Sequence, residues 1–213
     1  MHDWDAYAMI VWSLLAIANP LGVIPFFIDL TRAQSVQARH QTARMTAATV
    51  AVVLITGVVL GHPLLAVFGI SVTSLRIGGG ILLLLMAIAM LQAQPSRARC
   101  SIEEAEEAAE KDGVAVVPLA VPLVAGPGAI STVMIYAQQA NGWFDAVFLV
   151  LTSLVVAAVV WGCLRLAEPM SRALGTTGMN IVTRLMGLIL AAAAVEFIIG
   201  SIAIMLPGLA AVR

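Results

Sequence analysis

Apolar residues in this chain run in long blocks, and nearly all the charged residues fall in the connections between them. Six blocks reach the roughly 20 apolar residues that a membrane-spanning helix requires: 6–28, 45–68, 75–92, 114–140, 146–166 and 185–206. Two of them are interrupted in the middle, one by Ala18-Asn19-Pro20-Leu21-Gly22 and the other by Ala125-Gly126-Pro127-Gly128. Each interruption is followed at similar distance by an arginine that opens another apolar block, Arg76-Ile77-Gly78-Gly79 and Arg184-Leu185-Met186-Gly187. Pro20 and Pro127 are 107 residues apart, Arg76 and Arg184 are 108 apart, and the chain has 213 residues. The pattern reads as a duplicated unit, and matched breaks in two halves point to a transporter's binding site.

Composition narrows the class. Hydrophobic residues make up 61% of the chain, charged residues 11%, and the mean hydropathy is +1.01. A soluble domain would carry roughly a quarter charged residues. The formal net charge of −1 comes with no basic patch, so nucleic acid is not an expected partner and the lipid bilayer is. The start, Met1-His2-Asp3-Trp4-Asp5, lacks the positive region of a signal peptide, so the first block is expected to stay as a span. Cys100 in a polar connection and Cys163 in a span suggest neither a disulfide framework nor a metal site, and no cofactor is implied.

Charge also orients the spans. With the N-terminus outside, the cytoplasmic connections hold Arg32, Arg39, Arg44, Arg97, Arg99, Lys111, Arg165, Arg172 and Arg184. Only Arg76 and Arg213 are left outside, and six spans put the C-terminus outside as well. Three spans per repeat is an odd number, so the second copy must lie upside down relative to the first. The expected fold is an all-α membrane protein of six transmembrane helices, built as two inverted three-helix repeats with broken helices 1 and 4. Residues 1–92 form the first repeat, 93–113 a cytoplasmic acidic linker with Glu103, Glu104, Glu106, Glu107 and Glu110, and 114–213 the second repeat.

The breaks carry the candidate chemistry. Unpaired backbone groups in the bilayer core cost several kcal/mol, so a break is tolerated only inside protein or beside a wet cavity. Pro20 fits the first position of a new helix with Asn19 as its N-cap, and Gly126 and Pro127 can play the same parts in the second half. Each broken span then becomes two short helices. The second starts near the membrane midplane with free N–H groups and a positive dipole end, ready for a carboxylate. The substrate-binding candidates are Asn19, Pro20, Gly22, Gly126, Pro127, Gly128, Ser131 and Thr132. The competing reading of the same residues is a pair of proline kinks that help helices pack.

Glu196 is the twelfth residue of its block, roughly 15 Å from either end, and cannot easily reach the headgroups. Ala192, Glu196 and Gly200 share one small-residue face, so Glu196 is expected to point into the bundle. It serves either a proton pathway or a carboxyl bonded to a neighbouring helix. Arg76 and Arg184 read as headgroup anchors or as gating partners, while Gly79 and Gly187 read as close-contact or hinge positions. Asn180 and Thr183 are expected to cap the last span, and His62-Pro63 reads as an interface or loop.

The segments Asn19-Pro20-Leu21-Gly22-Val23-Ile24-Pro25, Arg76-Ile77-Gly78-Gly79-Gly80-Ile81-Leu82, Val116-Val117-Pro118-Leu119-Ala120-Val121-Pro122-Leu123-Val124-Ala125-Gly126-Pro127-Gly128-Ala129-Ile130-Ser131 and Asn180-Ile181-Val182-Thr183-Arg184-Leu185-Met186-Gly187-Leu188 resemble the MarC family of bacterial inner-membrane proteins, most of all its YchE-type members. The resemblance implies a multi-pass protein of the bacterial inner membrane. Members of the SnatA type carry glycine and alanine, so it further implies a transporter of small neutral amino acids, working by alternating access with Gly22, Gly128 and Gly79 near the pivots. The alternatives are a LysE-like exporter of another small metabolite and a structural or regulatory subunit without transport. An intramembrane enzyme is disfavoured, because the chain has neither Gly-x-Ser-x-Gly nor His-Glu-x-x-His.

Overall fold

The computed structural model describes residues 4–32, 34–92, 119–120, 124–140 and 142–206. The acidic linker 93–113, Cys100, Arg213 and parts of the fourth apolar block lie outside the described residues. The described residues form helices and no strand: α1 (Trp4–Ala18), α2 (Pro20–Leu30), α3 (Val36–Phe68), α4 (Val72–Leu91), α5 (Pro127–Gln139), α6 (Trp143–Arg165) and α7 (Ala167–Met205). Among the described residues five stretches are long and apolar enough to cross a membrane: Tyr7–Ile28, Val36–Gly61, Val72–Leu91, Trp143–Arg165 and Thr177–Met205. Within the fourth block, α5 has 13 residues and is about 20 Å long, too short to cross alone.

Local chemistry sets the helix ends. The Ser35 side chain accepts the Ala38 N–H at 3.3 Å and starts α3. Gly69 ends it at φ 62, a left-handed conformation, and the N–H groups of Gly69 and Ile70 return to the Ala66 and Leu65 carbonyls. Ser71 then opens α4 by accepting from Ser74 N at 3.0 Å. Gly175, at φ 63 and ψ −178, breaks α7 in a region open only to glycine.

Two expectations about the ends need correction. Asn180 and Thr183 do not cap the last span, because the helix is already running there. The Thr183 hydroxyl donates to the Met179 carbonyl at 2.9 Å, which lets a polar residue sit mid-helix without a loop. Pro63 likewise lies inside α3 and not in a loop.

Helices α4 and α7 pack along each other in opposite directions. Gly80 of α4 meets Ala194, Phe197 and Ile198, while Gly187 of α7 meets Ala87, Met90 and Leu91. A Cβ on Gly80 would lie 3.0 Å from the Ala194 carbonyl oxygen, and one on Gly187 would lie 3.2 Å from that of Ala87. Glycine is what allows these backbones to come so close. A second pair, α3 and α6, packs alongside. The short helices lie between the pairs, α2 against α6 and α7, and α5 against α3 and α4.

Candidate functional site at the two helix breaks

Asn19 forms the first break with φ 47, the left-handed conformation that asparagine tolerates better than most residues. It serves both helices. Its backbone N–H closes α1 on the Leu15 carbonyl at 3.0 Å, and its side-chain Oδ1 accepts the Gly22 N–H at 3.1 Å to cap α2. Pro20 follows in the first helical position, where a missing N–H costs nothing. Ala18, Asn19 and Gly22 are buried, and the Asn19 Nδ2 group donates to Met90 Sδ at 3.6 Å, so the break is held against α4.

At the second break Gly126 is extended, at φ −74 and ψ 174, with Pro127 opening α5. Just before it the Ala125 N–H donates to the Ala120 carbonyl at 2.8 Å. Ala125 and Gly126 are buried. The Ser131 and Thr132 hydroxyls are buried too, and both donate to the Gly128 carbonyl, at 3.0 and 2.7 Å. They are thus spent on their own helix and reinforce its first turn.

Both breaks press on α4. A Cβ on Gly22 would fall 2.6 Å from Met90 Cε and nearer still to Asn19 Nδ2, and one on Gly128 would fall 2.5 Å from Leu83 Cγ. Leu83 and Met90 are two turns apart on one face of α4, about 10 Å along its axis. Met90 also touches Gly187, so this flexible thioether joins Asn19, Gly22 and Gly187 at one point. Neither Leu83 nor Met90 belongs to a motif. The sign that could have found them is the buried stripe Gly80, Leu83, Ala87 and Met90, spaced by three and four.

The gating candidates divide. Gly79 is buried within α4, and Gly187 joins the site through Met90. Arg76 stands apart, its guanidinium 5.3 Å from the centre of the Phe197 ring and its Nε buried without a hydrogen-bond partner. Arg184 is exposed. Glu196 is exposed as well, which corrects the expectation that it points into the bundle. The packed face of α7 is set by Thr183, Gly187, Leu190, Ala194, Phe197 and Ser201, and Glu196 falls about 100° off that stripe. Among the described residues, neither Arg76 nor Glu196 forms an ion pair.

Comparison with known proteins extends this picture. The model of the MarC family integral membrane protein matches residues 4–206. The chain is 38% identical over 213 residues to the UPF0056 membrane protein YhcE of Escherichia coli (strain K12), covering 97% of this chain and 96% of that one. It is 36% identical over 200 residues to the UPF0056 membrane protein MJ1677 of Methanocaldococcus jannaschii, covering 94% and 97%. Against the UPF0056 membrane protein YvbG of Bacillus subtilis (strain 168) the identity is 35% over 187 residues, covering 87% and 89%. No solved structure matches. With the family model spanning nearly the whole chain and relatives in both bacteria and archaea, the protein belongs to the MarC, or UPF0056, family of integral membrane proteins.

Proposed function

We propose that this chain is a secondary transporter of small neutral amino acids of the glycine and alanine type, working in the bacterial inner membrane with both termini outside. One observation carries the reading: two proline-opened helix starts, matched across the halves, press on the same face of α4 through the buried Gly22 and Gly128. A zwitterion fits this chemistry. Its carboxylate suits the positive starts of α2 and α5, and its ammonium suits the last carbonyls of α1, beside Asn19. Leu83 and Met90 fill the space next to Gly22 and Gly128, so substrate would enter as these side chains swing aside.

The proposal includes two inverted three-helix repeats, the fourth span being completed by residues before Pro127. Several pairings are compatible with that symmetry. Helix α4 lies antiparallel to α7, α2 on α7 corresponds to α5 on α4, and α3 on α5 corresponds to α6 on α2. Alternating access would then be one repeat moving against the other. Glu196 lies on the outer face of α7, so proton coupling through it is a separate proposal.

The contacts of Gly22 and Gly128 also favour a second reading, in which the breaks serve packing alone. Flux of labelled glycine, alanine and serine into proteoliposomes, with and without a pH gradient, separates the two. Transport of at least one amino acid is expected, and no flux for any of the three sinks the proposal. Full proton-driven flux in Glu196→Gln would remove only the coupling.

A further inference from the structure

We propose that the groove between α3 and α6, at the arginine-rich end of the molecule, binds an anionic phospholipid. The mouth of this groove, about 800 Å³, is lined by His40, Gln41, Arg44, Trp161 and Arg165 among others. It runs on into a second hollow of about 300 Å³ that shares Arg44, Ala48 and Trp161 and is otherwise walled by Ala47, Ala51, Ala157 and Ala158. The polar end thus carries fixed positive charge, and the inner end is a smooth apolar trough.

Among the described residues the charges at the mouth are not neutralised. Among the described residues neither Arg44 nor Arg165 forms an ion pair, and no acidic residue lines either hollow. Glu168, three residues beyond Arg165, is engaged by Arg39 at 3.0 Å and by Arg172 at 2.5 Å. The Arg165 guanidinium lies 5.4 Å from the centre of the Trp161 ring, which holds it at the mouth. Arg44 immediately precedes one apolar block and Arg165 closes another, so both lie at the depth of lipid phosphates.

Basic pockets between membrane helices suit anionic headgroups in this way. The alanine trough identifies the lipid. A free phosphate would use only the mouth, whereas an acyl chain lies along the small side chains of α3 and α6 beneath it.

Trp161 reports on the site directly. The full chain, with Trp4, Trp12 and Trp143 changed to Phe, is reconstituted in phosphatidylcholine vesicles containing brominated phosphatidylglycerol or brominated phosphatidylcholine. Quenching of Trp161 is expected to show about a thirtyfold preference for phosphatidylglycerol, from two arginines acting on one anionic headgroup. Arg44→Gln with Arg165→Gln should abolish the preference, Arg44→Lys with Arg165→Lys should largely keep it, and Arg32→Gln, away from the groove, should leave it unchanged. Ala48→Phe with Ala51→Phe should lower quenching by both lipids. Equal quenching by the two lipids in the parent, or a preference that survives the double glutamine variant, overturns the proposal. Displacement by soluble glycerol phosphate would overturn the lipid assignment in favour of a small anion.

Discussion

Asn19 shows how much one residue can settle in a chain of this kind. It sits between two helices in a left-handed conformation, ends the first with its N–H and caps the second with its side chain. Asn19→Ala loses the cap and strains the backbone, for an expected cost of about 1–3 kcal/mol. Asn19→Gly keeps the permitted φ and should cost clearly less. Denaturant unfolding of the purified protein in bicelles checks that order, and an equal loss for both would contradict it. Gly128 is a second such position, where a methyl group must enter the space of Leu83. Gly128→Ala should cost about 1–3 kcal/mol by overpacking, and adding Leu83→Ala should recover most of it. A double-mutant cycle measures that recovery, and strict additivity would refute the contact.

At the scale of elements, the helix breaks were legible because Asn-Pro and Gly-Pro-Gly act within a few residues of themselves. The first span boundary and the starts at Pro20 and Pro127 follow from that local grammar. The direction of Glu196 was not legible. It depends on which face of α7 meets α4, and that is fixed by Gly187 and Phe197 against residues a hundred positions away. For the same reason no motif marks Met90, and the Arg39–Glu168 ion pair joins residues 129 apart. Thr183 resembles a cap until its hydroxyl is seen to return to its own helix, and Asn180 lies exposed inside that same helix.

Two tests belong at this scale. Because Glu196 lies off the packed stripe, Glu196→Leu should leave the fold as stable or more stable, since a charge at mid-bilayer costs about 2.5–3.5 kcal/mol. A large loss of stability would place the carboxyl in a packed contact instead. Gly175→Ala should cost about 1–3 kcal/mol, because φ 63 with ψ −178 is open only to glycine. Thermal unfolding in detergent reads both variants.

For the whole molecule, the distribution of lysine and arginine makes a prediction about sidedness. In a background with Cys100 and Cys163 replaced by serine, Ser71→Cys and Trp143→Cys should react with a membrane-impermeant thiol reagent on intact cells. Val36→Cys and Arg172→Cys should react only after lysis. All four positions are exposed, three of them at helix ends and Arg172 in the second turn of α7, so access depends on the side of the membrane and not on burial. Labelling of Arg172→Cys from outside would invert the topology and the repeat arrangement with it.

The central claim is that the paired helix starts beside α4 hold the carboxylate of a small amino acid. The direct measurement is the equilibrium affinity of the purified protein for alanine and for alaninamide, which keeps the ammonium and the methyl group but lacks the carboxylate. Alanine is expected to bind at least about tenfold more tightly, as charge-assisted hydrogen bonds and the helix dipoles require. Equal affinity for the two, or no binding of alanine, would contradict it.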